Sequence, residues 1–169
     1  VPFDEYAIRN NYWAFVSLAR KVAQNNQWKY LQVMMEALKP SQDTLIDQRI
    51  PVRPYILTAA VAVNPSGWLA GEGRALREKV LSWSASNDPV DIGTLWIILT
   101  YDSFTLTAQE MDTLYTVLMA RLGRQGSDFA KRREAKALAA IITRRIDAGM
   151  PVDLQPVFDR LRAAISAVE

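Results

Sequence analysis

This chain of 169 residues predicts an all-α fold: a compact bundle of about seven or eight helices joined by short polar loops. Three observations predict it. Apolar residues recur at helical spacing along most of the chain. Capping residues at the start, and Gly or Pro at the end, bracket those stretches. No two alternating apolar runs flank a hairpin turn, so a strand would have nothing to pair with. Half of the residues are hydrophobic and 22% are charged. A chain of this length and composition buries a core without disulfide or metal staples.

Asp4 caps a first helix reaching about Gln24, with Ile8, Tyr12, Phe15, Ala19, Val22 and Ala23 at helical spacing. Residues 25–27 (NNQ) interrupt it. The next helix carries Trp28, Leu31, Met34, Met35 and Leu38 on one face and ends at Pro40. Residues 41–50 form a short helix with Leu45 and Ile46 turned inward, and the PVRP stretch at 51–54 stiffens a crossing. Residues 55–63 are apolar and long enough for about two helical turns. They are rich in Ala, Val and Thr, so a strand is the alternative; helix is favoured because no partner strand exists.

The NPSG stretch at 64–67 is a break that also reads as an N-cap followed by Pro, and GEG at 71–73 loosens the chain beyond it. A helix then begins near Arg74 and takes in Leu76, Val80, Leu81 and Trp83. Asp88 caps the next one, with Pro89 at its first position and Asp91 in its first turn, and its apolar residues are Ile92, Leu95, Trp96 and Leu99. Thr107 and Glu110 match a capping box, backed by a stripe of Met111, Leu114, Tyr115, Leu118 and Leu122, and Gly123 stops that helix. Ser127 caps a long helix that Gly149 and Pro151 end. Asp153 caps the last, where Leu154, Val157, Phe158, Leu161, Ile165 and Val168 make the cleanest apolar face in the chain. The expectation is one all-α domain over 1–169, with a soft subdivision near 84–90, where SASNDP is small and polar.

The chain has neither Cys nor His. That removes disulfides, Cys/His zinc sites, iron–sulfur clusters, His-ligated haem, Cys nucleophiles and Ser-His-Asp triads. Carboxylate, Lys or Tyr chemistry stays open, as does a hard cation held by oxygens. No apolar run approaches a membrane span. The opening VPFDEYAIRNNYW has acids and amides where a signal peptide has a basic stretch followed by an apolar one. These features predict a soluble cytoplasmic or intracellular protein, a virion being compatible with a capsid role.

Charge is the most informative feature. Residues 121–145 hold eight basic residues (121, 124, 131, 132, 133, 136, 144, 145) against Asp128 and Glu134, a local +6 in a chain of net charge +2. On a helical wheel Ala135, Leu138, Ala139, Ile142 and Ile146 cluster on one side, with Arg133, Lys136 and Arg144 opposite. Arg132 falls at one border, and Lys131 and Arg145 lie nearer the apolar side. Arg121, Arg124, Arg132, Arg133, Lys136, Arg144 and Arg145 are therefore the candidate contacts to a phosphate backbone or an acidic partner. The competing reading is a solvated face paired with neighbouring acids, with Arg144 and Arg145 suiting the helix dipole.

Five tryptophans are spread along the chain; Trp13 in RNNYW and Trp68 in PSGW are the candidate exposed interface anchors. GEGR at 71–74 lacks the Lys-Ser/Thr of a P-loop and the third Gly of a dinucleotide fingerprint, and reads as a flexible turn. Asp43/Asp47 and Asp88/Asp91 read as a solvent face and a capping site. No catalytic residue, metal or cofactor is assigned. The expectation is a non-enzymatic, self-associating structural protein of nucleoprotein or capsid-subunit type, whose basic face meets nucleic acid or an acidic neighbouring subunit. A helical adaptor for an acidic protein partner is the alternative, and a carboxylate- or Lys-based enzyme the third.

Overall fold

The computed structural model describes residues 12–37 and 52–168, with side chains over 13–37 and 53–164. The first-helix cap at Asp4, the short helix at 41–50 and the Asp43/Asp47 pair lie outside the described residues. Among those described there are eight α-helices and no strand: α1 Tyr12–Gln24, α2 Trp28–Ala37, α3 Val52–Val63, α4 Gly71–Ser82, α5 Pro89–Leu99, α6 Ala108–Leu122, α7 Asp128–Asp147 and α8 Leu154–Val168. Two 3-10 turns, Gly67–Leu69 and Trp83–Ala85, join them in places. The chain divides into two compact units, residues 1–80 and 81–169.

In the N-terminal unit α1 packs against α3 and α2. It buries Val16, Ala19, Val22 and Ala23; α3 buries Ile56, Leu57, Ala60 and Val61; α2 buries Trp28, Leu31, Met34 and Met35. Residues 55–63 are helical, and the helix starts earlier than the PVRP stretch suggested: Arg53 and Pro54 lie inside its first turn. Pro is tolerated there because a first-turn N–H has no intrahelical acceptor. Trp68 stacks on Trp28 at a centroid separation of 5.4 Å, tilted by 44°. Asn64 ties this region together. Its Nδ2 donates to the Ala23 carbonyl and to Asn26 Oδ1, both at 2.8 Å, while its Oδ1 accepts from the Gly67 N–H at 3.1 Å. So Asn64 works from within a knot of polar bonds rather than as a simple N-cap.

In the C-terminal unit α7 packs between α5 and α6, and α8 lies on α6 and α7. The core is drawn from Ile92, Leu95, Ile98, Leu114, Leu118, Ala137, Leu138 and Ile141. Every residue from Val90 to Leu95 is buried, so the front half of α5 is covered all round. The expected caps are in place. Asp88 accepts from the Val90 N–H with Pro89 in the first turn. Thr107 and Glu110 close a reciprocal capping box. Ser127 accepts from the Ala130 N–H, and Asp153 from the Gln155 N–H. After α7, Gly149 adopts the left-handed conformation at φ 71°, and the Met150 N–H returns to the Arg145 carbonyl. That is the helix stop expected of Gly.

No helix among the described residues is long and apolar enough to cross a membrane.

Candidate functional site

The eight cations of residues 121–145 do not form one solvent-facing ridge. Helix α7 has neighbours on several sides, so it buries Lys131, Arg133, Glu134, Ala137, Leu138, Ile141 and Ile142. Ala139 and Ile146, placed on the apolar side by the wheel, are exposed. The buried arc is wide and turned by roughly a quarter of a revolution from the stripe read off the sequence. Arg133, expected opposite the core, is buried.

Glu134 is the centre of this arrangement. It is 3% exposed. Its Oε1 accepts from Arg121 Nη2 at 3.2 Å, and its Oε2 from Lys131 Nζ at 3.1 Å. Lys131 Nζ also donates to the Arg121 carbonyl near the end of α6. One buried carboxylate thus holds two of the eight cations and locks α6 to α7. Arg133 runs over Gly93 of α5, where a Cβ would stand 2.6 Å from its Nε, and its guanidinium sits 3.6 Å above the Phe129 ring.

Arg144 has a different role from the phosphate contact expected of it. Its guanidinium donates from Nε to the Leu99 carbonyl at 2.8 Å, and from Nη1 and Nη2 to the carbonyls of Phe104 and Tyr101. A planar fork of donors thereby satisfies the end of α5 and the turn after it, where carbonyls lack helical partners. Arg145 pairs with Asp112 at 3.0 Å and lies 4.7 Å from the Tyr115 ring centre, joining α7 to α6.

Three of the candidate cations face solvent. Arg132 pairs with Asp128 one turn back at 2.9 Å. Lys136 lies 4.5 Å from the centre of the Trp96 ring. Arg124 is exposed in the loop after α6. The structure therefore scatters the seven candidate residues among an interior ion cluster, a carbonyl clamp and separate surface positions.

The two aromatic candidates also part company. Trp13 is 73% exposed on α1, whereas Trp68 is 1% exposed. The 3-10 turn after Gly67 folds Trp68 onto Trp28 and leaves Leu69 outside instead. Sequence reading missed the outward apolar residues of α2, Tyr30 and Val33, at 54% and 67% exposed. The signal was available: both fall off the stripe formed by Trp28, Leu31, Met34 and Met35. They line a shallow open groove of about 440 Å³ with Lys29, Gln32 and Glu36.

Beside that groove runs α4. Glu72 Oε2 accepts from the Lys29 backbone N–H at 3.2 Å, and Lys79 Nζ stands 4.0 Å from Glu36 Oε1. The two pairs keep the same chain offset, so α2 and α4 run parallel and in register.

Asp91 is buried and accepts from Ser86 Oγ at 2.7 Å, while Asp88 caps α5. These two carboxylates serve the start of α5. Among the described residues no group of three or more Asp or Glu side chains is placed to share a metal ion. Comparison with protein-family models, with curated proteins and with solved structures finds no match to this chain.

Proposed function

We propose that this protein is a non-enzymatic helical structural subunit that works by self-association through its helix faces. One observation carries the reading: large apolar side chains stand outward on helices of an otherwise well-filled fold. Trp13, Val33, Tyr30 and Phe158 are each more than half exposed. A single exposed apolar residue needs no explanation, but Trp and Tyr are the side chains that anchor protein interfaces. The inward use of the α7 cations supports the same reading, because it leaves protein surfaces rather than a phosphate-binding ridge as the accessible chemistry.

A nucleoprotein form of the subunit rests on Arg124, Arg132 and Lys136, the exposed members of the basic stretch. Binding by so few phosphate contacts is weak and falls with salt. Size-exclusion chromatography with light scattering, on protein purified at low salt and read for both protein and nucleic-acid absorbance, tests the reading. An assembly of several copies free of nucleic acid is the expected result. Co-eluting nucleic acid moves the assignment to the nucleoprotein form. A 19.0 kDa monomer at every concentration sinks self-association and favours the adaptor for an acidic partner.

A further inference from the structure

We infer that the α2–α4 face of the N-terminal unit is a homodimer surface, on which a second copy of the chain packs antiparallel about a twofold axis crossing both helices. The inference rests on the self-association reading and names the face responsible.

The charges on this face have the symmetry that such a pairing requires. At the start of α2, the Glu72 carboxylate of α4 accepts from the Lys29 backbone N–H, while the Lys29 ammonium lies 5.7 Å from the Tyr30 ring centre; two turns further on, Glu36 pairs with Lys79. Along each helix the sign is inverted, from Lys29 to Glu36 on α2 and from Glu72 to Lys79 on α4. A twofold axis midway between these rows lays each helix antiparallel on its own image. Lys29 then meets Glu36 of the second copy, and Glu72 meets Lys79, each twice. A C2 interface must be self-complementary in this way. A partner unrelated to this chain imposes no such inversion.

Between the charged rows lie Val33 and Tyr30, with Gln32 and the exposed Ala75. The groove on α2 is open there, and Gln32 and Val33 of its lining lie midway between the two rows. Exposed ion pairs contribute little stability. The apolar centre therefore supplies the attraction, and the charges fix orientation and register. Two short helices present a patch at the small end of interface sizes, so the dimer is weak and concentration-dependent.

The test is a concentration series of the full chain by light scattering, with helical content checked by circular dichroism. Lys29→Glu places like charges opposite each other in its own dimer, and so does Glu36→Lys. Each should weaken self-association at least about tenfold. An equimolar mixture should recover it, because both cross-pairs become attractive in the heterodimer. Val33→Ser, a small change at an exposed site, should weaken association without affecting the fold and should not be rescued by mixing. Wild-type assembly that survives all three substitutions overturns this surface and leaves self-association standing. Weakened variants that fail to recover on mixing overturn the antiparallel register. A wild-type chain that stays monomeric throughout overturns the self-association reading, and this surface with it.

Discussion

Glu134 holds Arg121 and Lys131 in a place where water does not reach the carboxylate. Removing one member of a buried ion cluster is costly because the others keep their charge without their partner. Glu134→Ala should therefore lower unfolding stability by about 3–5 kcal/mol, read from urea midpoints at constant slope. The basic residues of α7 divide by the same logic. Arg144 spends its donors on three carbonyls, so Arg144→Gln should cost about 1.5–3 kcal/mol, and Lys in its place should not restore the planar fork. Arg133→Gln, at a buried site over Gly93, should also destabilise. Lys136 faces solvent above Trp96, and Lys136→Gln should change stability by less than about 1 kcal/mol. Equal tolerance at all three positions would mean that the cations of α7 are surface charges after all.

At the level of helices, the legible features are the ones encoded within a few residues. The Asp88 and Ser127 caps, the Thr107–Glu110 box and the left-handed Gly149 all arise from local hydrogen bonding, and each is found. The buried arc of α7 was not legible, because it depends on how many neighbours the helix has. A wheel finds one apolar stripe and so assumes one covering partner. Arg133 and Lys131 carry long apolar stems that fill interior space once their charged ends find Phe129 and Glu134. The fate of Trp68 was hidden for the same reason, since its neighbour Trp28 lies forty residues away in the chain. GEGR reads as a flexible turn in the sequence, yet Gly71 opens α4 and Gly73 is buried inside it. A Cβ on Gly73 would overlap the Gly67 carbonyl oxygen, a backbone atom that cannot step aside. Gly→Ala within a helix ordinarily stabilises. Gly73→Ala should instead destabilise by about 1–3 kcal/mol, and chemical unfolding of the single variant decides the sign.

At the level of the whole chain, the two units differ in what they offer to a partner. Residues 81–169 contain four helices, α5 to α8, with a core of their own and the ion cluster and carbonyl clamp that join α7 to its neighbours. A hydrophobic core of its own is what a segment needs to fold alone. Expressed by itself, this segment should be helical by circular dichroism and should unfold cooperatively in urea. It lacks Lys29, Val33 and Glu36, the residues assigned to the dimer surface, and should therefore stay monomeric at concentrations where the full chain associates. Its exposed Phe158 and Leu154 make this a discriminating comparison. If the folded segment assembles as the full chain does, the outward edge of α8 is the interface and the α2–α4 face is not. If it folds and remains monomeric, self-association requires residues 1–80, and the charge-reversal pair then tests the face within them.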